Sequence, residues 1–326
     1  MKILVAYDGS DCAGAALDDM RRAGLPREAE ARVLTVAESW LPPPSAYALA
    51  VEAGEVGAML AGAAVRRALA TSTAKPLDEA QRLADEAAFR LSRHFPDWKV
   101  RAKAASGSPP REILKEAAVW GADLVVVGSH GRTGLGRFLL GSVSQKVVYE
   151  ALCSVRVARG TGWKNGSPVR ILLGLDGSPG SQAAVEAVAG RAWPPGSEVR
   201  LVIALDPSPT AAGSLPARTP IKSPGDVREP AWVRQFAEEA ARRLRASELD
   251  VSTEVEEGDP KRLLVCEAEE WGADCVFVGS AGSRSRLEEF LIGSVATAVV
   301  TRAHCSVEVI RPPQKLRGRA PESPQL

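Results

Sequence analysis

Short, mostly apolar runs alternate along this chain with longer stretches of mixed character. Ile3–Ala6 reads as a strand, Ala13–Ala23 as a helix and Ala31–Val36 as a second strand. After Pro76, Leu77–Phe95 reads as a long helix, Trp98–Ala104 as a strand and Arg111–Trp120 as another helix. Leu124–Val127 is a continuous β-rich run, the pattern of a strand buried on both faces. Between the second strand and the long helix lies an excursion. It holds Leu41-Pro42-Pro43-Pro44, where prolines exclude helix and sheet pairing, and then the alanine-rich Ala46–Thr71. Strands alternating with helices predict a doubly wound α/β fold, with a parallel sheet and right-handed crossovers.

The order then returns. Lys2-Ile3-Leu4-Val5-Ala6-Tyr7-Asp8-Gly9-Ser10 answers to Arg170-Ile171-Leu172-Leu173-Gly174-Leu175-Asp176-Gly177-Ser178. Trp120-Gly121-Ala122-Asp123 answers to Trp271-Gly272-Ala273-Asp274, and Cys153-Ser154-Val155-Arg156-Val157 to Cys305-Ser306-Val307-Glu308-Val309. Each unit has about 150 residues, the usual size of one domain. Two such units make a duplicated domain and not a solenoid, which needs at least three shorter repeats. The predicted division is 1–158, a Gly/Asn/Ser-rich linker over 159–168, a second domain over 169–311 and a tail over 312–326. The tail's prolines, charges and scarce apolar residues predict disorder. The second unit has its own Pro/Ser/Ala-rich excursion, Pro207–Arg228, and a long helix, Ala231–Ala246, whose charged face reads as solvated.

Composition narrows the function classes. Net charge is +1 with 25% charged residues, so neither a nucleic acid nor a membrane partner is demanded. No basic stripe with interleaved aromatics is present. The first strand begins directly after Met1-Lys2 and is too short for a secretory signal. No apolar run approaches about 18 residues. The 5 cysteines are scattered and form no Cys-x-x-Cys, which fits a reducing cytosol and predicts a cytoplasmic protein. Cys153 and Cys305 read as buried apolar thiols.

The candidate chemistry lies in a glycine pattern between a strand and a helix. Val125-Val126-Val127-Gly128-Ser129-His130-Gly131 is followed, after nine residues, by Gly141-Ser142-Val143-Ser144. Glycines at a strand end let the backbone pass close to a ligand and take positive φ. A Gly-Ser pair opening a helix offers free N–H groups and a positive dipole end to an anion. The second copy reads Val276-Phe277-Val278-Gly279-Ser280-Ala281-Gly282, then ten residues, then Gly293-Ser294-Val295-Ala296. It has one extra residue, Ala281 in place of His130, and Ala296 in place of Ser144.

This spacing resembles the ATP-binding signature of the universal stress protein family, and the resemblance covers nearly all of the chain as two tandem domains. It implies a five-stranded parallel sheet with helices on both faces and an adenine nucleotide at the strand carboxyl ends, where open α/β sheets bind ligands. Carried over residue by residue, Gly128 and Gly131 would lie against the ribose and phosphates. Gly141, Ser142, Val143 and Ser144 would cap the phosphates with N–H groups and two hydroxyls. Asp8 would contact the nucleoside, and Ala6, Tyr7 and Val36 would line the adenine pocket. Asp8 equally fits an Asx turn before the first helix. His130 would reach a phosphate, and it has no evident serine or aspartate partner nearby in sequence. ATP would carry Mg²⁺ on its own phosphates, with no metal ligand from the protein. In the second unit Asp176, Gly279, Gly282, Gly293 and Ser294 remain for a weaker site.

The implied function is an ATP-binding, regulatory, non-catalytic role in stress response. A slow ATP-hydrolysing enzyme on the same fold and a nucleotide-free dimerisation scaffold are the alternatives. The sequence has no Walker Gly-x4-Gly-Lys-Ser/Thr, no Gly-x-Ser-x-Gly elbow and no metal-ligand cluster, and no catalytic residue is assigned. The last strands, Ser154–Val157 and Ser306–Ile310, are apolar at alternate positions. They are expected to pair antiparallel, which would make the chain an intrachain pseudo-dimer and leave room for a further homodimer.

Overall fold

The structure, a computed structural model of the whole chain, describes residues 1–38, 76–130, 140–160, 167–205, 231–280 and 292–312. The two excursions, residues 161–166 of the expected linker, residues 313–326 of the expected tail, and Gly131 and Gly282 lie outside the described residues.

The first half runs β1 (Lys2–Ala6), α1 (Asp11–Asp19) with a 3₁₀ turn at Met20–Arg22, β2 (Glu30–Glu38), α2 (helical over 76–94), β3 (Lys99–Gly107), α3 (Pro109–Trp120), β4 (Leu124–Gly128), α4 (Ser142–Glu150) and β5 (Ser154–Ala158). The second half runs β6 (Arg170–Leu175), α5 (Pro179–Ala189), β7 (Glu198–Leu205), α6 (Ala231–Arg245), β8 (Asp250–Glu257), α7 (Pro260–Trp271), β9 (Cys275–Gly279), α8 (Ser294–Arg302) and β10 (Ser306–Ile310). The strands form one ten-stranded sheet in the order β3-β2-β1-β4-β5-β10-β9-β6-β7-β8. Each half is a five-stranded parallel sheet. The halves meet at β5 and β10, which pair antiparallel with Glu308 opposite Arg156.

Local chemistry explains most boundaries. Ser10 caps α1 by accepting from the Ala13 N–H, so the helix begins at Asp11, two residues before the expected Ala13. Prolines occupy the first turns of α3 and α7, where no intrahelical N–H bond is lost. Both helices end on a left-handed glycine, Gly121 and Gly272, each at φ 69°. The repeated Trp-Gly-Ala-Asp is therefore a helix stop fused to a strand start. Arg32 stacks over Trp120 and Arg200 over Trp271. Ala122 and Ala273 are buried, and Asp123 and Asp274 accept the backbone N–H of Lys2 and Arg170 at 2.7 and 2.8 Å.

The two faces of the sheet are covered differently. On one face α3, α4, α7 and α8 share a single apolar core that crosses the junction, with Val147, Val148, Val299 and Val300 among its members. On the other face each half has its own core. Leu17, Met20 and Leu91 belong to the first and Val185, Val188 and Leu244 to the second. Cys305 lies in the shared core with its thiol pushed up to about 12 by burial. Cys153 is only half-buried against the same core, short of the full burial expected of it. Arg159, expected to open the linker, is buried and donates to the Val300 and Cys305 carbonyls of the other half. Arg311 does the same in reverse, reaching the Val148 carbonyl at 3.0 Å.

Candidate functional site

The strand order of the first half reverses between β1 and β4, so the crevice at their carboxyl ends is the place for a ligand in a sheet of this type. β1 ends at Ala6 and delivers Tyr7 and Asp8. β4 ends at Gly128 and delivers Ser129 and His130. The start of α4 closes the far side. These parts are tied to one another by the backbone. The Gly141 N–H donates to the Ser129 carbonyl at 2.8 Å, and the Ser129 N–H donates to the Ala158 carbonyl at 3.1 Å.

The structure gives several signature residues jobs other than those expected. Gly128 sits where β4 passes under α1, and a Cβ there would lie 3.0 Å from the Cys12 carbonyl oxygen. Its lack of a side chain therefore serves close helix–sheet packing. The Ser144 hydroxyl points inward and donates to the Gly128 carbonyl at 2.6 Å. It pins α4 to the strand end, so its hydrogen is not offered to a ligand. The N–H of Gly141 is likewise already used. What remains at the helix start is its first turn, Ser142 to Ser144, with no side-chain cap behind the extended Gly141 among the described residues. Three consecutive backbone N–H groups at the positive end of a helix suit an anion.

Asp8 forms the Asx turn that the sequence allowed as its alternative role. Its Oδ1 accepts from the Ser10 N–H at 3.0 Å and the Ser10 hydroxyl at 2.6 Å, which holds the β1–α1 turn. Ala6 and Val36 both pack against the shared core on one face of the sheet. Tyr7 packs into the opposite core, beneath α1. The expected trio is thus split: Ala6 and Val36 share a face and the Tyr7 ring does not. Leu34 accepts the Tyr7 N–H, which continues the ladder to the mouth of the crevice.

His130 does have a serine partner, its own neighbour: Ser129 Oγ lies 3.1 Å from His130 Nδ1. Nε2 is buried without a hydrogen-bond partner among the described residues. Burial first, and then the positive charge of Arg159, hold the imidazole below the usual histidine range, so it is neutral at pH 7. A serine hydroxyl donating to Nδ1 would put the ring proton on Nε2 and make that atom a donor. Sequence reasoning missed Ser129 and Arg159 as parts of this site. The signal for Ser129 was present, because Gly-Ser follows the buried strand in both copies.

The second half repeats the scaffold. The Gly293 N–H donates to the Ser280 carbonyl at 2.5 Å, and the Ser280 N–H to the Ile310 carbonyl at 2.9 Å. α8 starts behind Gly293 and has no side-chain cap. Asp176 accepts the Ser178 N–H at 2.9 Å in the matching Asx turn. A Cβ on Gly279 would lie 2.6 Å from the Gly180 carbonyl carbon, tighter than at Gly128. Ala296 is buried in the place of Ser144, so no hydroxyl reaches the Gly279 carbonyl from there. Gly174 and Ala204 stand in the register positions of Ala6 and Val36, with smaller side chains. Among the described residues no group of three His, Cys, Asp or Glu side chains could hold a metal ion, and no helix is long and apolar enough to cross a membrane.

Comparison with known proteins agrees with this division. The model of the Universal stress protein family matches residues 1–159 and again 169–311. Universal stress protein YxiE of Bacillus subtilis is 32% identical over 158 residues, 48% of this chain and 98% of its own length. A universal stress protein of Mycolicibacterium smegmatis is 34% identical over 202 residues, 59% of this chain and 62% of its own. A crystal structure of a universal stress protein from Archaeoglobus fulgidus superposes with a TM-score of 0.61 at 20% identity, covering 97% of this chain and 98% of that one. That likeness extends the shared fold across both halves.

Proposed function

The chain belongs to the universal stress protein family, and from that premise we propose that its first half binds ATP at the carboxyl ends of β1 and β4. The observation that carries the reading is the uncapped first turn of α4, tethered to the end of β4 at Ser129 and Gly128, where the strand order reverses. The phosphates would meet the N–H groups of Ser142, Val143 and Ser144 and the Nε2 of His130. Each charge-assisted bond contributes about 1.5–3 kcal/mol. Ala6 and Val36 would flank the base. Mg²⁺ would ride on the phosphates. The role is regulatory and non-catalytic, in stress response and in the cytoplasm, where free cysteines such as these five remain reduced. His130 meets a hydroxyl and no orienting carboxylate among the described residues, so turnover on the order of 1 s⁻¹, ordinary for an enzyme, is not expected.

Serine 142 offers a clean test. Proline at the first helical position keeps the helix and removes one N–H. The extended Gly141 before it, at ψ 151°, accepts a following proline. Ser142→Pro is expected to weaken ATP binding by roughly tenfold or more, read by calorimetry or by the ATP-induced rise in melting temperature. Ser294→Pro, its counterpart, should leave the first site's affinity unchanged. If purified protein releases no adenine nucleotide on denaturation and ATP gives no melting shift, the scaffold alternative replaces this reading. A saturating ligand at about 100 times Kd would have added about 2.7 kcal/mol.

A further inference from the structure

The repeat is broken in charge where both copies are fully buried. Arg156 and Glu308 occupy the same position in the two copies of Cys-Ser-Val-x-Val, and in the sheet they face each other across β5 and β10. The alternation of these strands suggests an outward, solvated position, yet each side chain is almost wholly buried. They form the centre of a line of four charges. Arg156 Nε meets Asp19 Oδ2 at 2.6 Å, Arg156 Nη1 meets Glu308 Oε2 at 3.3 Å, and Arg191 Nη1 meets the same Oε2 at 3.0 Å. From the first half to the second the signs run minus, plus, minus, plus. The Ser306 hydroxyl closes the line by donating to Asp19 at 2.7 Å.

Each outer charge neutralises the strand charge of its own half. The inner contact is therefore the one that depends on which strand lies opposite. Were β5 to pair in this register with another β5, Arg156 would face Arg156 and the line would read minus, plus, plus, minus. A β10–β10 pair would put Glu308 against Glu308. Like charges meeting in a buried centre exchange an attraction for a repulsion where water does not screen it.

Shape makes the same distinction independently. In the register that sets Asp8 on Asp176 and Glu30 on Glu198, Gly24 falls on Ala192 and Leu25 on Trp193. Across the junction the Ala192 N–H donates to the Gly24 carbonyl at 2.9 Å, and the Trp193 ring covers Gly24 so closely that a Cβ there would lie 2.7 Å from it. Two second halves joined in this way would press Trp193 onto Ala192, which carries that Cβ.

We propose that this junction is heterotypic in its chemistry: the β5 edge accepts a β10-bearing half, from the same chain or from a second copy, and rejects another β5, while β10 rejects β10. The partner of each edge is set by opposite buried charge at positions 156 and 308 and by the Trp193–Gly24 fit.

The test uses the full chain with a specific protease site substituted into residues 161–166 and cut after folding. The nicked protein is unfolded in denaturant, refolded as a mixture, and the pairs of halves are counted by native mass spectrometry. Mixed pairs are expected to exceed each like pair by about twentyfold or more, the twofold of random pairing multiplied by the tenfold that about 1.4 kcal/mol of preference gives. The 1:2:1 distribution of random pairing would overturn the proposal. In the same assay Glu308→Arg should erase the preference and Trp193→Ala should raise second-with-second pairs; a preference unmoved by both would also overturn it. A second readout needs no refolding. In the uncut chain Glu308→Arg should open the junction and speed reaction of the buried Cys305 with a thiol reagent by about tenfold or more, and an unchanged rate would count against the proposal.

Discussion

The two halves share strand order, Asx turn, helix stop and loop tether, and they differ at the end of the strand that faces the candidate ligand. In the first, Gly128 lies 3.0 Å from α1 by its missing Cβ and its carbonyl is held by Ser144. In the second, Gly279 lies closer still to α5, at 2.6 Å, and Ala296 offers its carbonyl nothing. The same glycine is therefore required in both halves for packing, whatever either half binds. A glycine signature of this kind reports first on how near a helix runs to a strand end. Around that glycine the first half gathers His130, the Ser144 hydroxyl that holds the glycine's carbonyl, and the uncapped turn of α4. The second half has lost two of these side chains and kept the turn.

The comparison breaks most sharply at the glycines. Gly279→Ala should cost about 3 kcal/mol, because the new Cβ meets backbone atoms that cannot move aside, and Gly128→Ala about 1 kcal/mol. Urea denaturation of the full chain, followed by signals from each half, checks the order; a larger loss at Gly128 would reverse the packing account. Ser144→Ala makes the first half resemble the second. It should cost about 1 kcal/mol by leaving the Gly128 carbonyl without its buried donor, and Ala296→Ser should recover part of such a bond in the second half. The smallest effect is that of His130, which has no counterpart beyond Ala281. Its pKa is lowered in the folded protein, so below the ordinary value of 6.5 the unfolded chain binds the proton first. Stability should fall as pH drops through and below 6.5, and His130→Gln should flatten that part of the profile. His94 is lowered too, by burial ahead of the charge of Arg21, so the variant should remove only a portion of the slope.

Much of this architecture was legible in the residues. The continuous run at Leu124–Val127 is a strand covered on both faces, and the duplicated motifs located two units; the five strands of each came from the family resemblance, and the pairing of the last strands from their otherwise exposed edges. The misreadings have one physical cause, contacts made far along the chain. Nothing local to Gly128 shows that α1 crosses above it, and nothing local to Ser144 shows that its hydroxyl turns to a carbonyl 16 residues earlier. Tyr7 was placed with Ala6 although neighbours on a strand point to opposite faces. Arg159 has the composition of a linker and the environment of a core, because the far helix ends on it. Arg156 and Glu308 look like solvated positions until both faces of the junction are known to be covered.

The antiparallel meeting of β5 and β10 also decides where the molecule can be addressed. Every strand of the first half runs one way and every strand of the second runs the other. The crevice beyond β1 and β4 therefore opens at one end of the particle and that beyond β6 and β9 at the opposite end. Occupants of the two would stand at opposite ends of the sheet and could not share a phosphate. Two routes join them across the junction: the row of Asp19, Arg156, Glu308 and Arg191 in the middle of the sheet, and the apolar core that α4 and α8 share on one face.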